Sequence, residues 1–243
     1  MAIINFRGSM PVLNNATRIT LAVPSLIPEG KEKWKVLWLL GEEGCSSDRY
    51  VRSSSIEALC EKYNIAVVMP EGLHSDYENM KRGLMWYDYL TDSLPAFIRE
   101  TFPVSDLRED NYVFGFGMGG LGSLRHALRS PSSACVFGSC RSDFEIFSDD
   151  EDHRSSDFVH KMQTIYGDDY LSDEIKDQSN PYRLASSCAE KPQLFLYGSG
   201  SSHKKMASHL TALGYAPHVV TEEQNSGYDA PLKAFLDYIS DRI

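Results

Sequence analysis

The stretch Tyr112-Val-Phe-Gly115-Phe-Gly117-Met-Gly119-Gly120 constrains this chain more than any other. A short apolar strand runs into closely spaced glycines and then into a helix beginning near Met118. Such a sharp strand-to-helix turn is the nucleophile elbow, G-x-S-x-G, in which a serine hydroxyl is lifted above a sheet. Here the serine position reads Gly117, so the turn is kept and its nucleophile is absent.

The flanking sequence supplies the sheet that such a turn requires. Val36-Leu-Trp-Leu-Leu40 and Ile65-Ala-Val-Val-Met69 are continuous apolar runs, the mark of strands buried on both faces. Alternation over 3–6 and 17–23 predicts an antiparallel N-terminal edge. Helical spacing through Ile56, Leu59 and Cys60 predicts a helix over 53–63, with Ser53 or Ser54 available as its cap. A second amphipathic helix is expected over 87–102, where Pro95 demands a kink or a late start. After the elbow the order is helix 118–129, strand 134–138, strand 193–197, helix 203–213, strand 218–221 and a closing helix over 230–243. Residues 143–188 hold no apolar strand and predict a helical insertion over the working edge of the sheet. The result is an α/β fold, a mostly parallel central sheet with helices on both faces, in a single domain spanning 1–243.

Charge and cysteine usage exclude several classes. The net charge is −10, with its densest run at Ser148-Asp-Asp-Glu-Asp152, which reads as a solvated loop rather than a cation site. Nucleic acid and anionic membranes need clustered Lys and Arg, so neither is an expected partner. The apolar run Val36–Leu40 is much too short to span a bilayer. Five cysteines without CxxC pairing suggest free thiols in a reducing cytoplasm and no metal site. The N-terminus lacks a basic segment followed by an apolar one, so no signal peptide is expected.

With these elements in place the chain resembles the esterase D branch of the α/β-hydrolases, which includes S-formylglutathione hydrolases and tributyrin-type esterases. The likeness runs from Met1-Ala-Ile-Ile-Asn5 through Val36–Leu40, Val67-Val-Met-Pro70, Leu94-Pro-Ala-Phe-Ile-Arg-Glu-Thr-Phe-Pro103, the elbow and Asn180-Pro-Tyr-Arg-Leu-Ala185. It implies the α/β-hydrolase fold and hydrolysis of short-chain esters or thioesters by a Ser-Asp-His triad, with no metal or organic cofactor. Related esterases often self-associate, which leaves a homo-oligomer open.

Carried over position by position, that triad is missing. The nucleophile position is Gly117. The acid, expected after the strand 193–197, falls on Ser201, and the base, expected after the next strand, falls near Glu223; no histidine follows His218. The oxyanion loop should read His-Gly-x-x-Gly after Leu40, yet the chain reads Gly41-Glu-Glu-Gly-Cys45. The oxyanion positions are therefore Gly41 or Glu42, together with Met118. Glu42 and Glu43 place negative charge where an oxyanion would need donors.

Other readings compete. Gly115-x-Gly117-x-x-Gly120 also fits the dinucleotide-binding pattern, but the unit is mid-chain and no Asp or Glu closes the following strand. A relocated site could pair His203 with Ser199, Ser201 or Ser202, or use His74 and Asp76 beyond Pro70. Cys45 is a candidate nucleophile with nothing local to lower its pKa. Trp86, Tyr87 and Tyr89 are expected to pack at the start of their helix; the resemblance implies that this segment approaches the acyl pocket, where an apolar wall is the other option. The reading that results is an esterase-family protein that has lost its triad and keeps its pocket for a small acyl or carbohydrate-like ligand. Candidate contacts are His74, His203 and Trp86. The alternative is a hydrolase using a relocated nucleophile or an activated water, with Glu223 as base.

Overall fold

A computed structural model describes residues 1–27, 30, 32–148, 155–222 and 227–242. Eight strands form one sheet: β1 (Ala2–Met10), β2 (Asn15–Val23), β3 (Lys35–Leu40), β4 (Ile65–Pro70), β5 (Asn111–Phe116), β6 (Val136–Cys140), β7 (Gln193–Tyr197) and β8 (His218–Val220). Their order is β1-β2-β4-β3-β5-β6-β7-β8. The first hairpin and the β2–β4 pair are antiparallel, and every later pair is parallel. This is the mostly parallel sheet that the apolar runs predicted, in the arrangement that the resemblance implies. Every residue of β4 and β5 is buried, which is why those segments read as unbroken hydrophobic runs.

Alternation within each strand divides the core in two. Leu37, Leu39, Tyr112, Phe114 and Phe116 face the side covered by α2 (Ile56–Tyr63) and α10 (Asp229–Ile239). There Phe114 stacks on Phe235 with ring centroids 4.6 Å apart. Trp38, Leu40 and Val113 face the other side, with Leu121 and Leu124 of α5 (Met118–Arg129) and Met206 and Leu210 of α9 (Ser201–Ala212). All of α5 except Arg129 is buried.

Several boundaries differ from expectation. A short α1 (Arg49–Ser53) precedes α2, and Ser54 turns extended between them while its hydroxyl accepts the Ile56 N–H at 3.2 Å. The expected helix over 87–102 is built of α3 (Trp86–Asp88), a π-helical turn (Tyr89–Ser93) and α4 (Leu94–Thr101). The wider turn absorbs the missing N–H of Pro95, which lies in the first turn of α4. The strand expected over 134–138 is Val136–Cys140, two residues later. The insertion over 143–188 carries α6 (Ser156–Tyr166), α7 (Asp173–Ser179) and α8 (Pro181–Ser187), as its composition suggested. The acidic residues 149–152 of the run lie outside the described residues.

One buried charge ties the insertion to the frame. Arg125 of α5 is 1% exposed; its Nε donates to the Ser179 carbonyl at 2.8 Å and Nη1 to the Asp76 carbonyl at 3.3 Å. Glu78 lies 3.3 Å from Arg125 and accepts two hydrogen bonds from Arg129, each at 2.8 Å. Breaking such a buried pair by removing one partner typically costs about 3–5 kcal/mol, because a charge is left uncompensated. Among the described residues no helix is long and apolar enough to cross a membrane.

Two measurements test this frame. A Cβ on Gly115 would lie 2.2 Å from the Gly119 carbonyl carbon and oxygen, and neither backbone can yield. G115A should therefore destabilise by about 3 kcal/mol, lowering Tm by roughly 6–12 °C; an unchanged Tm would contradict the close approach. The second concerns His126 and His203, both buried and pushed by desolvation from 6.5 down to about 4. The folded values lie below the unfolded ones, so the unfolded chain takes up protons first as pH falls. Their stabilisation is complete above about pH 6.5 and drains away between about 6.5 and 4. Urea midpoints at pH 7 and 4.5 should fall less in H203Q than in the wild type. Falls in H203Q and H126Q as large as that of the wild type would remove both histidines from the account.

Candidate functional site

The elbow forms as its glycines suggested. Gly117 caps α5 at φ 52° and ψ −116°, a backbone state that side chains rarely tolerate. Its N–H donates to the Cys140 carbonyl at 2.8 Å, and its own carbonyl accepts from Gly120 and Leu121, each at 3.1 Å. A Cβ built at 117 would stand 3.4 Å from Glu42 Cγ and 3.9 Å from Glu42 Oε1. The space before the elbow tip is thus bordered by a carboxylate.

The loop after β3 has been rebuilt around that carboxylate. Gly41 donates its N–H to the Tyr77 hydroxyl at 2.8 Å, so this loop donor is consumed internally. Tyr77 is buried and sits at φ 53°, beside Asp76 at φ 50°. Glu42 Oε2 accepts the Tyr228 hydroxyl at 2.5 Å, and Tyr228 packs edge-on against Phe116 and Tyr50. Burial, reinforced by the bond to Glu42, raises the Tyr228 pKa and keeps its proton in place. Arg49, on the exposed side, donates to the same phenolic oxygen at 3.3 Å. Burial and then the charge of Glu42 also push the Cys45 thiol upward, which opposes a thiolate nucleophile.

Above the carboxyl ends of β3, β4 and β5 lies a cleft of about 950 Å³ that includes Glu42, His74, Gly117, Met118, Arg141 and Lys161 in its lining. Lys161, reaching down from α6, binds Asp76 at 2.8 Å and Glu43 at 3.0 Å. Burial alone would lower its pKa, but the two carboxylates outweigh it and raise the value. Burial likewise opposes ionisation of Glu43, yet Lys161 and then His74, 3.1 Å away, hold its pKa below the usual range. Roof and floor are therefore joined by an ionic contact.

A second hollow of about 620 Å³ adjoins the cleft, and Arg141 and Asp143 line both. Arg141 follows β6 at φ 52° and makes a two-nitrogen contact with Glu222, just beyond β8. The Arg141 Nε–Glu222 Oε2 distance is 2.9 Å.

The positions expected from sequence separate into groups. Gly41 is buried at the cleft's edge; Glu42, Gly117, Met118 and His74 all line it, and the Met118 sulfur accepts the Asp76 N–H at 3.3 Å. Ser201 is exposed and lines only the second hollow, as does His203. His203 is 5% exposed, accepts the Ser142 N–H at 3.4 Å and packs on Phe144. Among the described residues it bonds none of Ser199, Ser201 or Ser202, so the relocated Ser-His pair does not form. Trp86 packs as expected: it is 3% exposed, lies edge-on against Tyr89 and does not line the cleft. Glu223 lies outside the described residues. Sequence reasoning missed Tyr77, Arg141, Lys161, Glu222 and Tyr228; the signal available for Arg141 was its place directly after a strand's carboxyl end.

Residues 11–142, more than half of the chain, match the esterase family model described as "Putative esterase". An acetyl esterase from Caldicellulosiruptor saccharolyticus is 30% identical over 138 residues, or 53% of this chain. That match spans 52% of the relative, about half of its length. Among solved structures, the fluorophosphonate-binding serine hydrolase FphF of Staphylococcus aureus aligns with TM-score 0.85 at 22% identity, covering 98% of each chain. The S-formylglutathione hydrolase FrmB of the same organism aligns with TM-score 0.83, again at 22% identity over 98% of each chain. The structural likenesses establish the α/β-hydrolase fold, and the family match contains β2, the loop after β3 and the elbow; by that match the chain belongs to the esterase family.

Proposed function

We propose that this member of the esterase family has given up Ser-Asp-His ester hydrolysis and uses the cleft over its elbow to bind a small acyl or carbohydrate-like ligand. The observation that carries the reading is the elbow tip itself, a glycine faced by the Glu42 carboxylate. Loss of the serine from a working triad costs on the order of 10⁶ in turnover, and other triad members act as a unit with it. What then remains comes from the oxyanion hole and binding. Here Tyr77 occupies the Gly41 donor and a carboxylate borders the hole, so that residue of catalysis is undercut as well. A hole donor is commonly worth about 3–4 kcal/mol of transition-state stabilisation, and negative charge beside it works in the opposite sense.

The cleft suits recognition. Its wall combines Met118, Leu121, Ile146 and Phe158 with carboxylates and histidines, a mixture able to hold a short acyl chain or the faces and hydroxyls of a sugar. A cytoplasmic location follows from the free cysteines, and self-association from the likeness to other esterases; both belong to the proposal.

Hydrolysis of p-nitrophenyl butyrate by the purified protein decides the matter, with G117W and G117S prepared in parallel. The wild type should show no turnover above G117W, whose indole fills the elbow tip. G117S should gain no activity, because the three atoms nearest its Cβ would all belong to Glu42, a carboxylate, rather than to a histidine base. Turnover by the wild type that G117W abolishes would establish the other reading, a relocated nucleophile or an activated water.

A further inference from the structure

The same cleft carries information about the charge of what it holds. An esterase elbow stabilises a developing oxyanion, using N–H groups from the loop after β3 and from the first residue of the helix. In this protein the corresponding loop has turned its Gly41 N–H toward Tyr77. In its place Glu42 brings a full carboxylate to within 3.9 Å of where a side chain at 117 would begin. The protein itself places a carboxylate where a substrate would develop an anion at the N-terminus of α5.

Among the described residues Glu42 has no cation at contact distance. Its direct partners are the Tyr228 hydroxyl at 2.5 Å and, more loosely, the Cys45 thiol at 4.0 Å, both uncharged. Among the described residues it makes no ion pair. Arg49 bonds Tyr228 rather than Glu42, and its charge acts on the carboxylate from the exposed side, where solvent screens it. The other carboxylates of the floor are treated differently. Asp76 and Glu43 share the ammonium of Lys161 at 2.8 and 3.0 Å. The cleft thus already holds one primary ammonium between carboxylates, and leaves Glu42 facing the same space without an equivalent.

We propose that Glu42 makes the cleft selective for a ligand with a primary ammonium head, the cation seated on Glu42 beside Gly117 and a short apolar tail lying along Met118, Leu121 and Ile146. Gly117 contributes by having no side chain, which leaves the carboxylate approachable. Carboxylate ligands, the natural products of ester hydrolysis, are excluded by like charge. This rests on the binding role proposed above, and it goes further by reversing the sign of the recognised group.

Titration with three probes of equal length separates the alternatives: n-hexylammonium, hexan-1-ol and hexanoate, followed calorimetrically at low ionic strength. Hexylammonium should bind at least tenfold more tightly than hexanol, and hexanoate should not bind. E42Q, which keeps an oxygen for Tyr228, should lose that tenfold preference; Y228F, which leaves the carboxylate intact, should retain it. Hexanoate binding as tightly as hexylammonium, no binding of any probe, or a preference that survives E42Q would each overturn the proposal. Should E42Q not fold, loss of the preference in Y228F would do so. Ester turnover by the wild type would sink the binding role while leaving these affinities as they are, so the two failures are distinguishable.

Discussion

The structure depends on the contact between α5 and the two strands beneath it. Gly115 meets the Gly119 carbonyl so closely that not even a methyl group fits, and α5 is then buried along all but its last residue. This approach fixes where the helix N-terminus points, and with it the location of any chemistry at the carboxyl edge. Neither Gly115 nor Gly119 takes part in catalysis in a serine esterase. The geometry of the elbow is accordingly a property of packing, and it persists whatever residue occupies position 117. Glycine at that tip relieves a conformation that would otherwise store about 1–3 kcal/mol of strain.

Around the elbow, charges are arranged in pairs that each bind a loop to something distant. Lys161 fastens the roof to the loops after β3 and β4. Arg141 and Glu222 join the loops after β6 and β8, the second of which is where the base of an esterase is expected. Tyr228 carries Glu42 to the start of the last helix. Most of these polar groups are engaged with one another, and Glu42 is the exception by its neutral partners.

Much of this architecture was legible in the sequence because burial on two faces leaves an unmistakable trace. Val36–Leu40, Ile65–Met69 and Gln193–Tyr197 could only be interior strands, and the glycines of the elbow named the turn between β5 and α5. The segment from Trp86 to Thr101 was less readable. Its apolar periodicity was clear, but the π-helical turn arises from accommodating Pro95 against the core, which period counting does not capture. The site divides along the same line. Gly117, Glu42 and Met118 were found because they are fixed by local sequence around the strand ends. Arg141 and Tyr228 were not, because their partners lie 81 and 186 residues away. The place of His203 after a strand end is visible in sequence, whereas its burial against Phe144 is not.

Arg125 bears on how divisible such a protein is. Its guanidinium is held by the loop after β4 and by the last residue of α7, which belongs to the insertion. Trimming residues 143–188 to obtain a bare sheet-and-helix core would remove the Ser179 carbonyl and leave a buried cation short of an acceptor in the middle of α5. The roof is thus not an accessory laid over a self-sufficient scaffold. Evolution could exchange the groups at the elbow tip one at a time, but it could not shed the insertion without re-engineering the helix that aims the elbow.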